Sequence, residues 1–277
     1  MPELPEVETV KETLKGQVMG QVIESVEIFA EKMIKGLSPA EFKSRLKGQS
    51  IRGFSRRGKY IIFHLDDYFL LSHLRMEGKY FYHQTEAEPG KHVHLIFRLG
   101  NGHDLWYDDV RKFGTFHLYE KQTDLEATPS FKVLGLEPFD EGFDAAYLQK
   151  KAYGRKKPIK SFLLDQATVT GLGNIYVDEV LFRASVHPLR MAGSLTEEES
   201  ARIVDHTRKV LSRAIELKGT TIMTFSSSHG VSGSFQNELK VHTRKGEDCP
   251  ECGTMIEKIK VGGRGTYFCQ KCQREKS

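Results

Sequence analysis

All four cysteines of the chain stand near its C-terminal end, as Cys249-Pro-Glu-Cys252 and Cys269-Gln-Lys-Cys272, with sixteen residues between the pairs. A Cys-x-x-Cys pair turns tightly enough to offer two thiolates to one ion, so two pairs can close a tetrahedral cage on a single zinc. Two disulfides would use the same four sulfurs, and that alternative stands at this stage. Residues Ile256 to Phe268 read as two short strands joined at Gly262-Gly263, a pair suited to a two-residue hairpin turn. Arg264 then sits at the tip of a braced hairpin, and a rigid finger that holds out an arginine suggests a nucleic-acid partner.

Composition narrows the class. Hydrophobic residues make up 39% and charged residues 28% of 277 residues, the profile of a globular protein with two or three folding units. No run approaches the roughly twenty apolar residues of a membrane span. The acidic start, Met1-Pro-Glu-Leu-Pro-Glu6, lacks the apolar core of a signal peptide. A cytoplasmic protein is expected, and reduced metal-bound cysteines agree with that compartment. The net charge of +4 is small, but it is unevenly spread: Arg52, Arg56, Arg57 and Lys59 form one cluster, and Lys151, Arg155, Lys156, Lys157 and Lys160 form another. Such clusters can neutralise phosphates and release counterions, or can be solvated faces.

Leu4, Val7, Val10, Leu14 and Val18 recur at helical spacing, so residues 2 to 19 read as a helix. Ser38-Pro-Ala-Glu41 is a capping box that starts a helix ending near Gly48. From residue 49 to about 120 the segments Tyr60 to Leu65, Lys79 to His83, His92 to Leu99 and Thr115 to Tyr119 are β-rich, which predicts antiparallel strands in one or two sheets. Beyond Pro138 the pattern turns helical. Asp144 caps one helix, Pro158 opens a second, and Asn174 caps a third that ends near Ser185. A double turn, Ala167 to Gly173, separates the second from the third. Thr196 to Glu199 is another capping box, opening a long helix that stops at Gly219. Residues 224–235, rich in serine and glycine, read as a linker or a lid.

Three constellations carry chemistry. An initiator methionine followed by proline is normally removed, which would free the secondary amine of Pro2. An α-amine has a pKa near 7.7–8.0, so much of it is neutral and nucleophilic at physiological pH. Condensed with an aldehyde it stays a cationic iminium, a strong electron sink, and Glu3 and Glu6 lie within one turn as acid–base groups. Proline and glutamate also simply suit a helix start. Asn174 after Gly171-Leu-Gly173 offers amides to an anion, or is a plain cap. His73-Leu-Arg-Met76-Glu-Gly78 and Asp109-Val-Arg111-Lys-Phe113-Gly114 each set an apolar side chain beside an arginine, as a wedge inserted into a base stack needs, although core packing would also place Met76 and Phe113.

In one order along the chain, Pro2-Glu-Leu-Pro-Glu6, Arg56-Arg-Gly-Lys59-Tyr, the first wedge segment, Lys91-His92, the second wedge segment, Gly173-Asn174-Ile-Tyr-Val-Asp-Glu179 and the hairpin with Gly263-Arg264-Gly-Thr266 resemble the formamidopyrimidine-DNA glycosylase family, bacterial repair enzymes. The resemblance implies an α+β fold: an N-terminal helix with a two-sheet β-sandwich over residues 1–133, a helix–two-turn–helix domain over 134–237, and a zinc finger over 238–277. It implies a monomer that binds double-stranded DNA containing oxidised bases or abasic sites across a cleft, associated with the nucleoid in the cytoplasm. Pro2 would be the nucleophile, Glu3 the acid, Glu6 a support of the lesion pocket, and Lys59 and Arg264 the groups of two successive eliminations. Met76, Arg111 and Phe113 would fill the gap left by an everted base, Arg111 pairing with the orphaned cytosine, while His92, Arg155 and Asn174 would touch the DNA backbone. Cys249, Cys252, Cys269 and Cys272 would hold one structural Zn2+.

The chain departs from the family pattern in two places. The usual Val-Tyr-Gly-Arg before the finger is here Val241-His242-Thr243-Arg244, and Met223 stands where a basic residue is common, ahead of a loop with His229 that in relatives covers the flipped base. A sister enzyme of the endonuclease VIII type, acting on oxidised pyrimidines, and a non-catalytic DNA-damage binder are the competing readings.

Overall fold

The structure, a computed structural model, describes residues 1–86, 88–220 and 233–274. Two compact units emerge, Met1–Phe131 with Lys218–Ser234, and Lys132–Leu217 with Phe235–Ser277.

In the first unit the helical spacing becomes helix α1 (Leu4–Val18), whose apolar stripe Leu4, Val7, Val10, Leu14 and Val18 is buried. Helix α2 (Pro39–Leu46) has the capping box its sequence promised: Ser38 N–H donates to Glu41 Oε2 at 3.0 Å, and Glu41 N–H to Ser38 Oγ at 3.3 Å. Two sheets follow. One contains strands β1 (Ile23–Ile28), β6 (Lys79–Gln84), β7 (Val93–Leu99) and β8 (His103–Asp108), in the order β1-β7-β8-β6. The other contains β2 (Ile34–Lys35), β3 (Gly53–Arg57), β4 (Tyr60–His64), β5 (Tyr68–His73) and β9 (Thr115–Glu120), in the order β2-β9-β5-β4-β3. Leu14, Phe42, Phe63, Leu95, Phe97, Tyr107 and Phe116 belong to one core that joins both sheets and both helices. Within residues 53–120 every strand pair is antiparallel, as expected, while β2, outside that segment, runs parallel to β9. Strand β1 lies outside the segment read as β-rich, because the register shift between Ile23 and Ser25 breaks its alternation.

In the second unit Asp144 caps α3 (Ala145–Ala152) through the Tyr147 N–H at 2.7 Å, and Pro158 precedes α4 (Ile159–Leu163). Helix α5 (Asn174–Arg183) corrects a boundary: Gly173 is its N-cap and Asn174 its first helical residue. The double turn between α4 and α5 is stapled by one side chain. Gln166 Oε1 accepts the Gly171 N–H at 2.9 Å and its Nε2 donates to Leu172 O at 2.9 Å. Thr196 and Glu199 cap α6 (Glu197–Glu216) reciprocally. The chain closes with β10 (Glu257–Val261) and β11 (Arg264–Phe268), an antiparallel pair. No described helix is long and apolar enough to cross a membrane.

Candidate functional site

At the start of α1, Pro2, Glu3 and Glu6 are all buried, the carboxylates at 2% and 3% exposure, while Met1 remains 43% exposed. Glu6 is fully engaged. One oxygen accepts the Glu3 N–H at 2.9 Å; the other accepts the Thr220 N–H at 2.8 Å and faces the Thr220 hydroxyl at 3.2 Å. Gly219 has a φ of +77°, and a Cβ there would lie 2.6 Å from Glu6 Oε1, so only glycine lets the backbone reach this carboxylate. A Cβ on Gly233 would in turn lie 2.3 Å from Gly219 O. Glu6 thus anchors the chain at Thr220, immediately before the segment with Met223 and His229; residues 221–232, including most of the expected lid, lie outside the described residues.

Lys59 sits in the two-residue turn between β3 and β4, where Arg57 pairs with Tyr60, and is buried despite its charge. Arg56 ties this hairpin to α1 by an ion pair with Glu8 at 2.9 Å. Burial, and after it the charges of Arg75, Lys59 and His117, pushes neighbouring His73 down to about 3, so it stays neutral and its Nδ1 accepts the Arg75 N–H at 2.9 Å.

That bond shapes the first wedge turn, in which Arg75 adopts φ +54° and Met76 is half-buried. The second turn is organised by one buried carboxylate. Asp109 Oδ1 accepts the Arg111 N–H at 3.0 Å, and its Oδ2 accepts those of Phe113 at 2.9 Å and Gly114 at 2.8 Å. With its backbone donors spoken for, the turn holds Phe113 out at 50% exposure, with the Arg111 guanidinium 4.8 Å from its ring centre. Val110 in the same turn is 54% exposed, so the turn presents two apolar side chains to solvent. A β-bulge at His94 lets its ring reach Asp109 O at 3.0 Å, and His92 O accepts the Asp109 N–H at 3.0 Å. His92 therefore stands half-buried beside the same turn.

The second unit positions Arg264. Gly262 and Gly263 have φ of +54° and +79°, the turn expected of this pair, and Arg264 is exposed at its end. The hairpin is gripped from beneath. Gly265 O accepts Lys160 Nζ at 3.0 Å and Asn174 Nδ2 at 3.1 Å, and a Cβ on Gly262 would lie 2.7 Å from Ser161 Oγ. Asn174 thus spends part of its amide inside the protein; it is half-buried, and its Oδ1 has no hydrogen-bond partner among the described residues.

Beneath it lies a buried polar network that the sequence did not disclose. Asp178 binds Lys160 Nζ at 2.7 Å through one oxygen, and His242 Nδ1 at 2.8 Å and the Tyr267 N–H at 3.2 Å through the other. Glu179 accepts the backbone N–H groups of Lys240, Val241 and His242 at 2.9–3.0 Å. The first departure from the family pattern now has a physical account. His242 is buried against Asp178 rather than exposed, and Thr243 takes φ +67°, a conformation natural for glycine and strained for a β-branched residue. Nothing in the sequence marks Asp178, Glu179 or His242 as partners, because 61 or more residues separate them.

The two basic clusters fare differently from expectation. Arg52, Arg56 and Arg57 are paired with Asp66, Glu8 and Glu126 at 2.6–2.9 Å, so that cluster is largely neutralised. Lys160 is no surface cation at all, being 0% exposed in the Asp178 network, and Lys157 pairs with Asp165 at 2.8 Å. Lys151, Arg155 and Lys156 remain exposed, and Arg155 lines an open groove of about 420 Å³ with Tyr147, Lys150, Lys151 and Tyr153.

Cys249, Cys252, Cys269 and Cys272 place their sulfurs within 4.8 Å of one another. Cys249 and Cys272 are 3.8 Å apart, and Cys252 and Cys269 3.5 Å. A disulfide needs about 2.05 Å, whereas thiolates about 2.3 Å from a shared tetrahedral zinc stand roughly 3.8 Å apart. The cage fits one zinc with four sulfur ligands and no open position, a structural site. Gln273, fully buried, secures it: Oε1 accepts the Cys269 N–H at 3.0 Å and Nε2 donates to Val186 O at 2.9 Å.

Comparison with known proteins bears on this arrangement. Residues 1–116 match the formamidopyrimidine-DNA glycosylase N-terminal domain, residues 134–226 the H2TH domain of that enzyme, and residues 246–274 a zinc finger found in FPG and IleRS. The chain is 49% identical to the formamidopyrimidine-DNA glycosylase of Bacillus subtilis over 277 residues, covering 100% of both chains. It is 50% identical to that of Exiguobacterium sibiricum over 275 residues, 99% of each. Among solved structures it is similar, at 44% identity and a TM-score of 0.92, to a Lactococcus lactis FPG mutant in complex with Fapy-dG containing DNA, covering 99% of this chain and 100% of that one. It is equally similar to Lactococcus lactis Fpg in complex with an abasic site containing DNA.

Proposed function

The chain belongs to the formamidopyrimidine-DNA glycosylase family, and from that membership we infer a bifunctional base-excision repair enzyme, a DNA glycosylase and abasic-site lyase. Its substrate is double-stranded DNA with an oxidised purine, 8-oxoguanine or a formamidopyrimidine. The observation that carries this reading is the buried Pro2-Glu3 pair at the head of α1, in the unit that also holds Lys59 buried and Phe113 exposed beside Arg111.

A target atom inside a stacked duplex is unreachable, so the nucleotide must be everted at a cost of a few kcal/mol. Met76 and Phe113 fill the vacated space, and Arg111, its backbone fixed by Asp109, pairs with the cytosine left behind. His92, Arg155 and Asn174 hold the backbone. With Met1 in place the Pro2 nitrogen is an amide, so the chemistry requires Met1 to be removed. The freed amine attacks C1′ of the damaged nucleoside. Glu3 delivers a proton as the base leaves and the sugar ring opens, giving an iminium between Pro2 and C1′. The iminium draws electron density from C2′, whose proton becomes acidic, and loss of that proton expels the 3′ phosphate. Lys59 serves proton transfer and phosphate contact in that step. A second elimination, assisted by Arg264, expels the 5′ phosphate. Glu6, holding Gly219 and Thr220, supports the lesion pocket. Zinc supplies rigidity to the hairpin and no chemistry.

The division at 133/134 and 237/238 into catalytic, helix–two-turn–helix and finger parts belongs to the same proposal, supported by where the three family matches fall. So do a monomeric state and a cytoplasmic, nucleoid-associated location. Borohydride trapping on duplexes with 8-oxoguanine opposite cytosine, an oxidised pyrimidine or an abasic site tests the reading. A covalent adduct on the first, absent in Pro2→Gly, is expected. Adducts on pyrimidine lesions alone would move the protein to the endonuclease VIII type, and binding without any adduct would leave a damage binder.

A further inference from the structure

Tyr107, in β8, has no task in the scheme above. Its ring is fully buried, edge-on to Phe116 at 4.8 Å and to Tyr80 at 5.2 Å. Its hydroxyl has no hydrogen-bond partner among the described residues. An unpaired buried hydroxyl is destabilising, a cost that a phenylalanine in the same place would not incur. Burial raises the phenol well above its usual range, so the group stays a neutral O–H.

What surrounds this oxygen is two glycines. A Cβ on Gly78 would lie 2.1 Å from it, and a Cβ on Gly114 1.8 Å. Neither glycine has a positive φ, so neither is there for backbone freedom; each is bare because the same oxygen occupies the space beside it. Gly78 ends the turn that carries Met76, and Gly114 ends the turn that carries Arg111 and Phe113. Each turn has its own internal bonds, to His73 and to Asp109, and both abut one phenolic oxygen.

We infer that Tyr107 is a positioning residue whose hydroxyl sets the separation of the two turns, so that Met76, Arg111 and Phe113 enter a duplex as a single wedge. The inference rests on the proposed function. Removing the oxygen leaves a gap about one atom wide between two backbones, and a displacement of about 1 Å can cost up to ~100-fold in rate.

Tyr107→Phe tests it through three readouts: the melting temperature, kcat/KM for 8-oxoguanine excision from duplexes with cytosine or adenine opposite, and borohydride trapping on a single-stranded abasic oligonucleotide, which has no stack to fill. The expected result is an unchanged or raised melting temperature, a loss of about tenfold or more in kcat/KM on the duplex with a narrower cytosine-to-adenine ratio, and unchanged single-strand trapping. Gly114→Ala, which drives a methyl into the oxygen, should reproduce the selective duplex loss. Duplex excision and opposite-base ratio at the wild-type level in Tyr107→Phe overturn the inference. So does an equal loss on both substrates with a lowered melting temperature, the mark of general destabilisation. Wild-type protein that traps abasic DNA yet excises no oxidised purine would overturn the proposed substrate first, and this inference with it.

Discussion

Two turns in this molecule hold out an arginine, and they are built in opposite ways. The turn with Arg111 is shaped by Asp109, whose carboxylate collects N–H groups only two, four and five residues further on. The hairpin with Arg264 is held by Lys160, Asn174 and Asp178, which lie 105, 91 and 89 residues from their backbone partners, and by a zinc cage. The first writes its geometry locally. The second is assembled from distant parts, so its arginine is only as well placed as the network beneath it. A change within a few residues remakes the first, whereas the second fails wherever any one of its distant partners fails.

The contrast can be broken most forcefully at the metal. Structural zinc contributes about 10–16 kcal/mol in isolated fingers, so Cys249→Ser should abolish zinc retention and unprotect the amides of Glu257 to Phe268 in hydrogen exchange, while those of Arg111 to Gly114 keep their protection. Persistent protection in metal-free protein would show that the buried network alone suffices.

A sharper comparison pairs two carboxylates. Asp178→Ala strands Lys160 in the interior, for which about 3–5 kcal/mol of destabilisation is expected, visible as a lower denaturant midpoint and faster hairpin exchange. Asp109→Ala removes three backbone bonds from an exposed turn, with about 2–3 kcal/mol expected and exchange changes confined to residues 110–114. Equal effects from the two would erase the distinction between local and distant construction. The smallest effect belongs to Thr243. Its left-handed backbone costs a non-glycine residue roughly 1–2 kcal/mol, partly offset by the greater freedom glycine loses on folding. Thr243→Gly should raise stability by about 0.5–1 kcal/mol, and a lowered midpoint would mean that the Thr243 hydroxyl bond to His242 O outweighs the strain.

Much of the scaffold was legible because its signals are local. The capping boxes at Ser38 and Thr196, the α1 stripe and the Gly262-Gly263 hairpin depend on residues within a few positions of one another. Strand β1 was not legible, because a bulge spoils its alternation, and the parallel pairing of β2 is a tertiary fact. Within the site, residue types and spacing pointed to Pro2, Glu3, Arg111, Phe113, Arg264 and the cysteines as candidates, while Lys59, as more than one member of a basic cluster, was singled out only by the family resemblance. They could not reveal that Lys160 is an internal anchor instead of a phosphate-facing charge, nor that Asp178 and Glu179 organise the hairpin's base. A charged residue's sequence neighbours do not say whether a carboxylate is waiting for it across the fold.

The Glu179 carboxylate also bears on the order in which the chain is made. On the ribosome it emerges some sixty residues ahead of Lys240, Val241 and His242, whose N–H groups it will accept. Until they arrive, α5 carries midway along its length a buried acid paired, among these partners, only with Arg183 one turn further on. A chain stopped short of Lys240 is therefore not a sound helical unit lacking its finger. It exposes the seat on which the finger was to rest, and quality-control proteases would meet it as unfinished.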